Sequence, residues 1–104
     1  ETENYNLRGF VASNIGGAHT KFDEPEKALK SYSQAVKNYT TAESQSKVAQ
    51  NYVAAADIMV EFNNLNKAYT LLSKAQKHAR QTENINLMND INTKMRQLSA
   101  LNVK

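Results

Sequence analysis

FDEPEKALKSYSQAVK, residues 22–37, is written a second time forty residues later as FNNLNKAYTLLSKAQK, residues 62–77. Phe22 falls on Phe62, Lys27 on Lys67, Ala28 on Ala68, Ser33 on Ser73, Ala35 on Ala75 and Lys37 on Lys77. Asp23 and Asn63, both residue types that suit a helix N-cap, also coincide. Self-similarity at a period of about 20–50 residues marks supersecondary units that stack because none buries its apolar face alone.

Before this stretch, Tyr5, Ala12, Ile15, Gly16 and His19 share a narrow arc of the helical wheel, which predicts a first helix over about 5–21 with that arc buried. Gly9, Gly16 and Gly17 each cost such a helix about 1 kcal/mol relative to Ala. At Gly16, inside the arc, the missing side chain lets a neighbouring helix approach. Asp23, Pro25 and Glu26 read as an N-cap, a proline in an opening turn and the acidic end of a D-x-x-E capping box. They begin a second helix over about 24–39 that faces the first with Ala28, Tyr32 and Ala35, and residues 40–44 form a polar connection.

A third helix over about 45–62 carries Val48, Tyr52, Ala55, Ala56, Met59 and Phe62 at spacings of three and four. After Asn63 and Asn64 a fourth, over about 65–80, buries Ala68, Leu71, Leu72, Ala75 and Ala79. Past residues 81–84 a fifth helix, within about 84–101, has one apolar stripe of Leu87, Ile91, Met95, Leu98 and Leu101. A single-faced final helix either caps a stack or begins a third unit.

The two copies resemble the tetratricopeptide repeat, a helix-turn-helix unit. In the first copy Ala12, Ile15, Gly16 and His19 stand where that family has large, large, small, large, and Ala28, Tyr32 and Ala35 match its small, aromatic, small. The second copy offers Tyr52, Ala55, Ala56 and Met59, then Ala68, Leu72 and Ala75. Two departures stand out: Thr40 and Arg80 replace a helix-ending proline, and the period is forty where about 34 is common. Longer helices of this kind are similar to those of bacterial signalling regulators and peptide-pheromone receptors. The resemblance implies an all-α fold of tandem helix-turn-helix repeats in a right-handed superhelical stack, with repeat one over about 5–40, repeat two over about 45–80 and a capping helix over about 84–101. It further implies a concave groove, lined by the first helix of each repeat, that holds a peptide or partner helix.

Composition narrows the function. The chain has 104 residues, one domain's worth. It has no cysteine, which removes disulfides, thiolate metal ligands and thiol catalysis; this suits the cytoplasmic setting expected here and also suits many exported bacterial proteins. No window of eighteen apolar residues predicts a membrane span. A net charge of +3 is too small to indicate direct nucleic-acid contact. The opening at Glu1 instead of Met points to a piece of a longer protein, such as the sensor or adaptor segment of a regulator. No G-x-S-x-G, P-loop or H-E-x-x-H sequence is present, so neither an enzyme, a cofactor nor a small-molecule substrate is expected.

Turning from the buried arc towards the expected groove selects Phe10, Ser13, Asn14, Gly17 and Lys21 on the first helix. Gln50, Val53, Asp57 and Glu61 follow on the third, and Asn92 and Arg96 on the fifth. Their amides and mixed charges suit a polypeptide better than a phosphate backbone. Gly17 lies outside the buried arc, where either it opens space for a ligand or the helix simply tolerates it. Lys30, Lys37, Lys74 and Lys77 fall on the outer face of the second and fourth helices, where a solvated surface is the expected reading. His19 is expected as a packed core imidazole, and neither it nor His78 has the companions of a metal site. Self-association through exposed end helices is the alternative function.

Overall fold

The computed structural model of the protein describes residues 2–102, except the side chains of residues 2 and 102. Five helices follow one another: α1 (Thr2–Lys21), α2 (Pro25–Thr41), α3 (Gln45–Glu61), α4 (Leu65–Ala79) and α5 (Ile85–Asn102). No strand occurs among the described residues. Each helix packs on the next, and α3 also touches α5, giving a slab 48 × 33 × 17 Å.

The first three turns are built alike. The amide of Glu24 donates to His19 O at 2.8 Å and that of Asp23 to Thr20 O at 3.1 Å. Ser44 and Glu43 repeat the pair with Tyr39 O and Thr40 O, as do Asn64 and Asn63 with Met59 O and Val60 O. This is the Schellman motif, which closes a helix by placing one residue in the left-handed region. Those residues are Asp23 (φ 58°), Glu43 (φ 60°) and Asn63 (φ 59°). The expected capping box is therefore corrected: Asp23 ends α1 and does not cap α2, because a three-residue reversal uses that position for the left-handed bend. The N-caps fall one residue later, on Glu24, Ser44 and Asn64, and of these only the Asn64 side chain accepts a capping bond, from Lys67 N at 3.3 Å. Pro25 does occupy the opening turn of α2. The turn before α5 is different, since Asn84 caps it through Leu87 N at 3.1 Å and no left-handed residue is used.

Contact between α1 and α2 is governed by glycine facing tyrosine. A Cβ on Gly9 would lie 2.9 Å from the Tyr39 ring, and one on Gly16 would lie 2.9 Å from the Tyr32 ring. Both distances are too short for a carbon neighbour, so the two rings rest on bare backbone. Between them Ala12 and Ala35 are buried together with Tyr39 and Val48. Forty residues on, the same positions carry Ala49 and Ala56 on α3 and Ala79 and Leu72 on α4, and all four are buried. Bulk has moved: Tyr52 of α3 replaces Ala12 at the centre, while Leu72 and Ala79 of α4 replace the two tyrosines.

This register corrects the expected first arc. With Gly9, Ala12 and Gly16 inside, the buried line is turned away from Ile15, which is 46% exposed. Tyr5 and His19 are only half-buried. His19 leaves the core to pair its Nδ1 with Glu24 Oε1 at 2.8 Å, so the packed-imidazole expectation is also corrected. At the ends of their stripes Phe62 and Leu101 are exposed, because each lies at the last turn of its helix or beyond, past the neighbour that covers the rest. The main core gathers Ala28, Tyr32, Val53, Met59, Leu72, Leu87, Ile91 and Leu98 from α2 to α5.

Gly16→Ala should destabilise the fold by about 1–2 kcal/mol, because overpacking against Tyr32 outweighs the gain in helix propensity. Gly17→Ala, whose Cβ would meet only the Tyr32 hydroxyl at 3.8 Å, should stabilise it by up to about 1 kcal/mol, and urea midpoints of the two variants should shift in opposite directions. Glu43→Gly should raise stability by about 0.5–1 kcal/mol by relieving a left-handed glutamate, with a smaller gain at Asp23, a residue type that enters that region more easily. Thermal unfolding of both glycine variants checks the order.

Candidate functional site

The residues expected to line a groove are spread over α1, α3 and α5, and of them Glu61 borders a small recess beside Pro25 and Ile58. Phe10, Asn14, Lys21, Gln50, Asp57, Glu61 and Arg96 are exposed, and Ser13, Gly17 and Asn92 are half-buried. Val53 is buried in the main core, so its side chain offers little to a ligand. Asp57 Oδ1 accepts from Lys94 Nζ at 3.2 Å, tying α3 to α5, and Asn92 Oδ1 accepts from Gln76 Nε2 at 2.9 Å, tying α5 to α4. Two polar members of the set thus already have partners within the fold. Arg96 donates to Thr93 Oγ1 at 3.3 Å on its own helix. Neither of the two sizeable clefts is lined by any of the eleven residues.

Both clefts open beside α2. One, of about 590 Å³, lies between the start of α2 and the α3–α4 turn; Pro25, Leu29, Met59 and Phe62 make it apolar, with Glu24, Glu26 and Lys27 at its rim. The other, of about 450 Å³, runs between α2 and α4 over α3. Lys30 and Lys74, read from sequence as part of a solvated outer face, line it together with Lys67. Sequence reasoning missed this cleft because a helical wheel treats each helix alone, whereas the cleft depends on α2 and α4 standing apart. Its one legible sign was Asn51, a polar residue on an otherwise apolar line of α3.

A third surface lies on α1. Leu7, Phe10, Val11, Ile15 and, just beyond the helix, Phe22 are all exposed. Leu7, Val11, Ile15 and Ala18 stand eighty residues before Leu87, Ile91, Met95 and Leu98, the stripe that α5 packs into the main core. Val11, Ile15 and Ala18 also stand forty residues before Asn51, Ala55 and Ile58, which α3 buries. Hence α1 shows to solvent a face that its two counterparts cover.

The titratable groups with shifted pKa values sit apart from one another. The hydrogen bond from His19 holds the Glu24 carboxyl below its ordinary range against partial desolvation, with help from Lys27 Nζ at 3.6 Å. His78 pairs its Nδ1 with Gln45 Oε1 at 2.6 Å and stacks on Tyr52, ring centres 5.8 Å apart. Burial pushes its pKa down, and neighbouring Lys77 adds to the effect. Burial likewise raises the Tyr39 hydroxyl. Each of these shifts has a local structural cause, and none places an acid beside a base in an enclosed pocket. No helix among the described residues is long and apolar enough to cross a membrane.

Among known proteins, no family model matches this sequence, and neither a curated protein nor a solved structure matches it. The likeness to tetratricopeptide repeats accordingly rests on the residues of the two copies themselves.

Proposed function

We propose that this chain is a non-enzymatic protein-interaction module built as a tetratricopeptide-like stack, two helical hairpins followed by a closing helix. The recurrence of the same turn at Asp23, Glu43 and Asn63 supports the repeated design, as do the matching buried positions forty residues apart. In this reading the stack is a right-handed superhelix in a cytoplasmic regulator or adaptor.

One observation carries the proposal: the exposed apolar face of α1, in register with faces that α3 and α5 bury. Because those counterparts receive the neighbouring helices α2 and α4, the partner that fits α1 is an amphipathic helix with small and medium apolar side chains along one stripe. Such a helix would extend the stack by one layer. The polar face of Asn14, Gln50, Asp57, Glu61 and Arg96 then contributes rim contacts more than anchors, since the apolar centre of an interface carries most of its energy.

The same face favours a second reading, a dimer in which two copies of α1 cover each other. The outer side of α5 is polar along its length, with Asn86, Asn89 and Arg96 exposed, and its two exposed large apolar residues, Ile85 and Leu101, stand at opposite ends of the helix without forming a stripe like that of α1. A two-fold pair through α1 is therefore the form of self-association that fits.

The chain has no cysteine, so Ile15→Cys gives a single attachment point for a photo-crosslinker on α1, with Gln50→Cys as the comparison on the face expected from sequence. Crosslinking from position 15 should capture an amphipathic helix, and Val11→Asp should lower that capture at least about tenfold while shifting stability by less than about 0.5 kcal/mol. An adduct between two copies selects the dimer. Capture from position 50 and none from position 15 would remove α1 as the binding face.

A further inference from the structure

Val11, Asn51 and Ile91 occupy the same register position on α1, α3 and α5, forty residues apart, and only the middle one is polar. Asn51 is 4% exposed. Its Nδ2 donates to Lys47 O at 2.8 Å, which fixes the amide orientation, because only the NH2 end satisfies a carbonyl. Oδ1 is thereby left buried without a donor. An unsatisfied buried carbonyl destabilises the fold that contains it. A sequence that breaks its own apolar pattern at such a cost marks a place where something other than stability is served.

Asn51 belongs to the lining of the cleft of about 450 Å³ between α2 and α4. Tyr32, Val36, Tyr52 and Leu71 supply its apolar walls, and Lys30, Lys67 and Lys74 its charge. No acidic residue lines the cleft, and among the described residues none of these three lysines is paired with a carboxylate. Lys74 Nζ lies 5.9 Å over the Tyr52 ring, a stance that keeps the ammonium beside the cleft. The volume lies in the range of about 300–1,000 Å³ that encloses a small ligand or a few residues of a larger one.

We propose that this cleft binds a short acidic peptide segment. The segment turns aside the side chains that close Asn51 Oδ1 off from the cleft, so that one of its backbone N–H groups donates to that oxygen; an apolar side chain enters between Tyr32 and Leu71, and glutamate or aspartate carboxylates meet the three ammonium groups. A peptide carries a donor and anions within one short stretch. A phosphodiester backbone or a simple carboxylate offers acceptors and no such donor, so charge alone does not account for the arrangement.

The test uses acetyl-Leu-Glu-Leu-Glu-amide as probe, with acetyl-Leu-Gln-Leu-Gln-amide, glutarate and inorganic phosphate as comparisons, each titrated into the ¹⁵N-labelled protein. The acidic peptide should shift the Asn51 side-chain amide and backbone amides within 29–36 and 67–74. Binding should fall at least about tenfold for the glutamine peptide and for glutarate, and several-fold in the exposed-site variant Lys67→Ala. Asn51→Val, which restores the apolar residue of the other two helices, should raise the melting temperature and lose the peptide-induced shifts. Absence of shifts at the cleft would overturn the proposal, as would equal binding of the glutamine peptide. Glutarate or phosphate binding as tightly as the peptide would reduce the cleft to a charge site and overturn it too. A lower melting temperature for Asn51→Val would show that Oδ1 already has a donor in the native protein, which removes the reason for the site.

Discussion

Two aromatic rings lying on two glycines determine how α1 meets α2. Gly9 and Gly16 are seven residues apart, as are Tyr32 and Tyr39, so the antiparallel helices meet at two matched points. The glycines impose a propensity cost of about 1 kcal/mol each on an isolated helix, and the burial of the ring faces offsets it. The consequence reaches the surface. Once Gly9, Ala12 and Gly16 face α2, Leu7, Val11 and Ile15 face away from it, and α1 carries an apolar stripe outside. In the second hairpin the same backbone positions are filled by alanines opposite Leu72 and Ala79, with Tyr52 supplying the central bulk. Similar close packing is reached with the volume distributed differently, as expected of cores that conserve total volume more strictly than individual side chains.

Much of the framework was legible before any coordinates. Five helices and most of their bounds follow from apolar spacing, and Ala28, Tyr32, Ala35, Ala68, Leu72 and Ala75 are buried as their spacing requires. What escaped had physical causes. Gly9 has no side chain to weigh on a wheel, yet it decides which way α1 turns, and omitting it drew Ile15 into the wrong arc. Asp23 and Asn63 suit both an N-cap and a left-handed helix end; the tight reversal, which no single-residue preference encodes, selects the second. Glu43 at the equivalent place gave no signal at all, being a poor left-handed residue held there by its two neighbours' hydrogen bonds.

The candidate site was less legible than the fold. Surface positions on α1, α3 and α5 were identified individually, but whether they enclose a volume depends on how far apart their helices stand. Asp57 and Asn92 are engaged within the protein, whereas the open spaces lie beside α2. The molecule is also asymmetric from end to end. The outer side of α5 is polar, while α1 leaves Leu7, Phe10, Val11 and Ile15 uncovered.

The dependence of this arrangement on matched small and large residues is tested most directly by a double-mutant cycle at the α1–α2 contact. Gly16→Ala combined with Tyr32→Leu reproduces the pairing that Ala56 and Leu72 provide in the second hairpin. Unfolding free energies of the wild type, both single variants and the double variant should show a favourable coupling of at least about 1 kcal/mol, with the double variant more stable than the sum of the single changes implies. Additive losses would contradict the account, because they would mean that ring and glycine do not set each other's place.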